Sequence, residues 1–574
     1  MAEGKIPSKK PNKRTIRWMD EVSGKGKGFL VLLSLLQVIN GLSGVLYALF
    51  LRNIVDRAVE GDKQGFLLNA MYFILTIIGQ VTLTILSSHF TESARSYLEN
   101  SFKSRLFSNI LNRDFSRVSA VHSGEWLNRL TNDTSVVANG ITDIVPGFLG
   151  MAVRFISALV MVLIIDWRIA AIMIPAGVLL AIFAYAFRSK LKALHKEVQE
   201  KDGLLRIFLQ ENMASLLLIR SFSEEGTSLE KAEEHMDEHR KSRLRKNRFA
   251  NLTRLGFQVS MNGMYLSGVI YGGFGILNGA MSYGTLMALT QLIHQLQMPI
   301  VNLTGMFPQI FTLTASAERL MEIEEYPKAE ANALSVKEAE AFYHDRLKTI
   351  GVKDLTYTYY PPTENVSNFS KENMPIAIEG ITFEIEKGQC VAFTGHSGCG
   401  KSTVLKLMLN IYRPDAGEEY FILNDGTREE LCGKWHNLFA YVPQGNFLMN
   451  GTIRDIVTFG APADRENEDK IRRALTMACA DKFVYELEEG VDTLLGERGT
   501  GLSEGQTQRL ALARALFSER PILLLDESTS ALDEETEKEV LSNLKSMTDK
   551  TILIVTHRPA ALEICDKRID FAGQ

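Results

Sequence analysis

Six stretches of the chain are apolar for long enough to cross a lipid bilayer, and no other feature restricts its fold so severely. A hydrocarbon core of about 30 Å takes roughly 20 apolar residues in a helix, and backbone inside it must satisfy its own hydrogen bonds. Phe29–Leu51, Phe66–Phe90, Ile141–Ile165, Ile169–Phe187, Leu252–Leu277 and Thr285–Leu313 meet that length. The sequence therefore predicts a six-helix membrane domain over residues 29–313. Beyond it the composition is that of a soluble α/β protein, so the mean hydropathy of -0.01 averages two unlike halves. A chain of 574 residues is in any case too long for one core.

The connections between spans are of two kinds. Spans three and four are separated by little more than "DWR", and spans five and six by the uncharged "NGAMSY". Spans two to three and four to five are joined by long, charged, helix-forming stretches, "ESARSYLENSFKSRLFSNILNRDFSR" and "RSKLKALHKEVQEKDGLLRIF". Lys and Arg crowd these stretches and the N-terminal arm, so the positive-inside rule puts both termini and both long connections in the cytoplasm of a cell-membrane protein. The outside loop "RNIVDRAVEGDKQ", with three basic residues, goes against the rule without reversing it. Residues 1–28 carry no cleavable signal and read as a cytoplasmic arm leading into an interfacial helix, "TIRWMDEV", with Trp18 at headgroup depth.

A charge inside the bilayer is costly and usually faces a cavity or a partner. Arg154 is such a charge, open to a substrate contact or a structural pairing. Gln258, Asn262 and His294 are further substrate candidates, and Gln37, Asn40, Gln80 and Gln291 further polar positions. For each of these polar residues interhelical hydrogen bonding is the simpler role. Pro146, Pro175 and Pro299 mark bends, and Tyr47, Tyr72, Tyr265 and Tyr271 face either cavity or lipid. The net charge of -5 gives no hint of nucleic acid as a partner, and none of the five cysteines is required for a disulfide framework.

In the second half, "GQCVAFTGHSGCGKSTVLKLML" has strand, glycine loop and helix in the order of a P-loop. Gln389–Thr394 reads as the strand and Lys401 onward as the helix. Backbone N–H groups of such a loop turn inward around phosphates, aided by the helix N-terminus. The ATP contacts are expected from Gly395, Ser397, Gly398, Cys399, Gly400, Lys401, Ser402 and Thr403, with Lys401 on the β- and γ-phosphates and Ser402 on Mg²⁺. "PILLLDE" delivers Asp526 and Glu527 at a strand end, suited to Mg²⁺ coordination and to polarising a water respectively. "TILIVTHRP" delivers His557 in the same way, open to a γ-phosphate contact or a structural role. "LSEGQ" has the form of a capping box, Ser503 three residues before Gln506, opening an amphipathic helix.

These motifs together resemble the ATP-binding cassette (ABC) superfamily, along nearly the whole chain. "YVPQ" resembles its Q-loop, with Gln444 sensing Mg²⁺; "LSEGQ" its signature; "SALD" its D-loop, with Asp533. In "LTYTYYP", Tyr359 resembles the adenine-stacking aromatic, with Tyr360 the alternative. Glu497 and Arg498 in "TLLGERG" resemble a segment typical of exporters. "HSGEWLNRLTNDTSVV" and "ENMASLLLIRSFSEE" resemble the cytoplasmic connections of the exporter membrane domain, with coupling helices expected near Phe115–Val121 and Phe222–Thr227. The implied architecture is an ABC exporter fold: the six-span helical domain, a linker over 314–346, and an α/β P-loop (RecA-like) nucleotide-binding domain with a helical subdomain over 347–574.

Two departures stand out. Glu504 replaces the commonest signature glycine, and the sequence stops at "DKRIDFAGQ", soon after His557, where family members usually continue. With only about 28 residues before the first span, leader-cleaving exporter activity is not expected. The resemblance further implies that Ser503, Gly505 and Gln506 hold ATP on the P-loop of a second half-transporter chain. A homodimer is the first expectation and a heterodimer with a degenerate partner the second. The expected function is ATP-driven export of an amphipathic molecule; a cassette-gated channel or sensor without active transport is the alternative. A soluble nucleic-acid ATPase is opposed by the six spans, and an importer by the fusion of membrane domain and cassette.

Overall fold

The computed structural model describes residues 13–329, 333–361, 374–445, 448–496 and 501–571, without the side chains of 172–185, 188, 300–301, 303–304 and 307. The chain divides into two compact units, 13–102 with 133–317 and 103–132 with 318–571.

The first unit is helical. A short helix, α1 (Lys13–Ser23), precedes α2 (Lys27–Glu60) and α3 (Lys63–Asn112). The second unit claims the end of α3, then α4 (Phe115–Ala120) and α5 (Ser123–Asn128). The first resumes with α6 (Thr134–Ile165), α7 (Trp167–Ala214), α8 (Leu216–Ser221), α9 (Glu225–Leu277) and α10 (Tyr283–Glu322). Each expected span falls inside one of the six long helices. Among the described residues three stretches are long and apolar enough to cross a membrane by themselves, those ending in α2, α3 and α6.

Small residues let these helices meet. A Cβ on Gly41 of α2 would lie 2.9 Å from the Gly150 carbonyl oxygen of α6. Side-chain amides join helices: Gln37 donates to Ser87 (3.2 Å) and Gln80 to Ser43 (3.0 Å), as expected, and Gln297 to the Met261 carbonyl (2.9 Å) and Gln295 to the Gly44 carbonyl (2.6 Å), which the sequence did not single out. The tight turn between α6 and α7 is pinned by Asp166, which caps α7 and accepts from the Tyr271 hydroxyl at 2.7 Å. Tyr271 thus serves packing.

Two local expectations need correction. Trp18 is not a headgroup anchor; it is buried and packs on Phe102, ring centroids 5.5 Å apart. In the second connection the short helix is Leu216–Ser221, and Phe222–Glu224 form the turn before α9. The turn is set by Ser223, whose φ of 55° ends helical hydrogen bonding.

In the second unit, α11 (Val336–Asp345) opens the cassette with a capping box, Ser335 against Glu338. One sheet is antiparallel: β1 (Leu347–Thr358), β2 (Ile376–Glu386), β4 (Ala416–Leu423) and β5 (Arg428–Glu430), ordered β2-β1-β4-β5. The other is parallel: β3 (Cys390–Thr394), β6 (Phe439–Val442), β9 (Ile522–Asp526), β10 (Thr551–Val555) and β11 (Lys567–Asp570), ordered β11-β3-β10-β9-β6. A two-stranded ribbon, β7 (Gly451–Thr452) with β8 (Leu494–Leu495), lies apart. β9 and β10 are buried at every position, as strands covered on both faces must be. β11 forms the edge that follows His557.

Arg129 anchors the connection between α5 and α6. It sits in a π turn, 1% exposed, and reaches Glu125 (2.9 Å), Glu322 (3.0 Å) and the Arg319 carbonyl (2.8 Å). On β4, Glu419 is buried with its Oε1 unpartnered, and burial pushes its carboxyl up to about 8. A carboxyl that is neutral when folded and ionised when unfolded binds more protons in the folded state. Its contribution is therefore complete below about pH 4.5 and is lost as pH rises to about 8. Glu419→Gln should flatten this dependence, by on the order of 3 kcal/mol between pH 5 and pH 8. Thermal unfolding of both chains across that range reads it; parallel pH profiles would refute the buried-acid assignment.

Candidate functional site

The P-loop grows out of β3 and ends in α12 (Lys401–Met408). Its glycines adopt conformations that side chains resist: Gly395, Gly398 and Gly400 have φ of 133°, 86° and 93°. At Gly400 a Cβ would also meet the Ala377 carbonyl oxygen at 2.8 Å. Lys401 is buried, and its ammonium donates to the Gly395 and His396 carbonyls at 2.8 and 2.9 Å and approaches the Cys399 sulfur at 3.7 Å. A desolvated ammonium curled inside a glycine loop suits a polyphosphate partner.

Beside it, the Ser402 hydroxyl donates to Asp526 Oδ1 at 2.8 Å, and the Tyr441 hydroxyl to Asp526 Oδ2 at 3.2 Å. Burial pushes the Asp526 carboxyl up, while these two hydrogen bonds pull it back. Hydroxyl and carboxylate oxygens within hydrogen-bond reach of each other, next to a phosphate loop, are the hard donor set that Mg²⁺ takes. The fit is good on chemistry alone.

Glu527 follows at φ 50°, a strained backbone for a glutamate, held by its N–H on the Val555 carbonyl at 3.1 Å. Gln444 donates to its Oε2 at 2.8 Å, so Q-loop and glutamate meet directly. His557 is exposed just past the end of β10. Its neighbour Arg558 fixes the segment through the Ser530 and Leu532 carbonyls and Glu537. Asp533 caps the following helix, Glu534–Lys545, through the Thr536 N–H at 2.9 Å.

The adjacent tyrosines part company. The Tyr359 hydroxyl meets Thr403 of α12 at 2.8 Å, whereas Tyr360 lies against the Arg117 guanidinium at 5.5 Å. Tyr359 is thereby joined to the helix of the phosphate loop.

Ser503 caps the helix Glu504–Phe517, and the capping box with Gln506 is formed. Gly505 is required, since a Cβ there would sit 2.9 Å from the Ala531 carbonyl oxygen. Among the described residues no hydrogen bond links Ser503, Gly505 or Gln506 to Lys401 or Ser402. Ser397 and Gly398 lie in the loop, while Glu497 and Arg498 lie outside the described residues.

Two contributors escaped sequence reasoning. Tyr441 was visible only as the first letter of "YVPQ". Gln508 is buried in the signature helix, donating to Ser530 (2.9 Å) and accepting from the Ala531 N–H (3.0 Å). A polar residue on an otherwise apolar helix face was the one signal for it.

In the membrane unit, the Arg154 guanidinium has no partner among the described residues. Gln258, Asn262 and His294 are exposed and likewise unpartnered there.

Residues 30–300 match the family described as ABC transporter transmembrane region, and residues 378–530 the family described as ABC transporter. The chain is 27% identical over 518 residues to a multidrug resistance ABC transporter ATP-binding and permease protein of Lactococcus lactis, covering 90% of this chain and 83% of that one. It is 30% identical over 498 residues to an ATP-dependent lipid A-core flippase of Pseudomonas fluorescens, covering 84% and 77%. ABC transporter B family member 1 of Dictyostelium discoideum is 28% identical over 515 residues, and the chain spans 51% of its length. A bacterial Atm1-family ABC exporter solved with ATP bound superposes with a TM-score of 0.73 at 20% identity, over 95% of this chain and 93% of that one.

Proposed function

Because this chain belongs to the ABC transporter family, with membrane region and cassette fused as in exporter half-transporters, we propose that it exports an amphipathic substrate across the cell membrane from two composite ATP sites. The protein is a multi-pass membrane ATPase coupled to transport. Both termini and the cassette are on the cytoplasmic side in this reading. The multidrug and lipid A-core flippase relatives favour a drug-like molecule or a lipid, with an amphipathic peptide the remaining class.

The observation that supports the composite site is that the signature residues are bonded among themselves and not to the P-loop, among the described residues. One chain offers one P-loop and one exposed signature turn, and the two share no hydrogen bond among the described residues. A second chain, a copy of this one or a heterodimeric partner, supplies Ser503, Gly505 and Gln506 to the ATP held by Lys401, and receives the same in return. Asp533 at the D-loop then faces the opposing site. The exposed tip of α8 and its turn, with Leu217 85% and Phe222 71% exposed, offers apolar surface for that assembly.

Within one site each group has a task. Tyr359 stacks the adenine; the loop from Gly395 to Thr403 encloses the phosphates; Lys401 neutralises charge on the β- and γ-oxygens. Ser402, Asp526 and Gln444 would hold Mg²⁺, which when bound offsets charge developing on the transferred phosphoryl group. Glu527 orients and deprotonates the attacking water, and His557 contacts the γ-phosphate.

Nucleotide contact has a route to α4 within the second unit. Thr403 bonds Tyr359, Tyr359 meets Tyr412 edge-on at 5.6 Å, and Tyr412 stacks on Phe115 of α4 at 6.0 Å. α4 follows α3 in the chain after the break at Arg113 and Asp114, and in this reading it acts as a coupling helix. Closure of the dimer on ATP can shift the membrane domain only by the difference in affinity between its two states. Arg154, Gln258, Asn262 and His294 are the proposed substrate contacts, because their polar groups stand unpartnered among the described residues on membrane helices.

Vesicles reconstituted with the protein should accumulate an amphipathic dye with ATP and not with a non-hydrolysable analogue. No accumulation of any amphiphile in a panel, with ATPase unstimulated, would favour the cassette-gated channel or sensor instead.

A further inference from the structure

We propose that a groove between α7 and α9 binds the headgroup phosphate of an acidic phospholipid from the leaflet on the cassette side of the bilayer. The groove holds about 620 Å³. Four cations line it, Lys190 from α7 and Lys241, Arg245 and Arg248 from α9, with no carboxylate among its lining residues. The α9 cations recur at intervals of three and four residues, which places them along one helix face.

Their pairing divides them. Lys241 holds Asp237 at 2.7 Å and Arg245 holds Glu197 at 2.6 Å, both outside the groove's lining. Arg248 and Lys190 have no carboxylate among the described residues, and the Lys190 ammonium lies 5.1 Å from the Phe249 ring centroid. Two cations are thus left to an outside anion, and an Arg guanidinium takes phosphate oxygens in pairs.

The depth points to lipid. Lys190 stands just past Phe187, where the fourth span is expected to end, and Arg248 just before Leu252, where the fifth begins. Cations at that level meet headgroups, and each contributes roughly a fivefold gain toward an anionic surface. Leu244 and Leu252 line the same groove and are 44% and 62% exposed, giving acyl chains a surface to lie on. Two membrane crossings follow α9's cytosolic part before the cassette begins, so groove and cassette share one side of the bilayer.

The test counts phosphatidylglycerol and phosphatidylcholine bound to the full chain in detergent, by native mass spectrometry over a lipid titration. The expected result is saturable binding of phosphatidylglycerol over phosphatidylcholine. Lys190→Gln with Arg248→Gln should weaken it roughly thirtyfold, and Lys190→Arg with Arg248→Lys should retain it. Gel filtration and lipid-free unfolding check that each variant folds; if the glutamine pair does not, loss of the preference in high salt on the unsubstituted chain carries the same test. Equal binding of the two lipids, unchanged affinity in the glutamine pair, or displacement of phosphatidylglycerol by equimolar glycerol phosphate would each overturn the proposal. Lipid count is read without turnover, so a chain inactive in transport would refute the exporter reading and leave this one standing.

Discussion

Replacing Glu527 by glutamine is expected to lower ATP turnover by about 10²–10⁴-fold while ATP binding stays close to that of the unsubstituted chain. The expectation rests on two adjacent acids with unlike surroundings. Asp526 is buried and tied to Ser402 and Tyr441, and in the proposed site it stands on the metal side. Glu527 is partly exposed, its side chain met by Gln444 alone among the described residues. Glutamine at 527 keeps the volume and can still accept from the Gln444 amide, but it cannot take a proton from water. In the proposed site, binding depends on Lys401, Ser402 and the loop backbone, none of which the substitution touches. Turnover near the original rate would remove Glu527 from its proposed role. Loss of ATP binding would mean that the strained backbone at φ 50° collapses without the carboxylate.

What could be read in advance follows from how local each signal is. The P-loop was legible because strand, glycine spacing and helix lie within about twenty consecutive residues, and each glycine answers a local backbone demand. The spans were legible because bilayer thickness sets a minimum length that few other folds require. Contacts between distant segments were not. Trp18 looked interfacial by composition, yet Phe102 covers it. Tyr359 and Tyr360 are equivalent as letters, and only the positions of Thr403 and Arg117 separate them. Gln508 reads as one more polar residue of an amphipathic helix, although it ties the signature helix to Ser530 and Ala531. The grouping of residues 103–132 with the cassette depends on Arg129 reaching Glu322, and Arg113 the Tyr326 carbonyl, some two hundred residues away. Glu419 gave no sign of its buried state, since it reads as the second of two consecutive glutamates, whereas in the sheet it lies opposite Val352 and beside Leu431.

The central claim is that ATP is held between two chains, and it predicts rescue by mixing two inactive variants. Lys401→Ala removes the ammonium from the P-loop and leaves the signature intact. Ser503→Arg puts a long cation at the signature turn and leaves the P-loop intact. Each variant alone gives a dimer in which both composite sites carry one defect. In the mixed dimer both defects fall in one site, and the other combines a sound P-loop with a sound signature. Co-expressed chains with different affinity tags, purified through both tags, isolate that mixed dimer. Nucleotide trapped by vanadate is then the direct measurement. The account predicts no trapping in either single variant and one trapped nucleotide per mixed dimer. Absence of trapping in the mixed dimer, or full trapping by the Ser503→Arg chain alone, would contradict it.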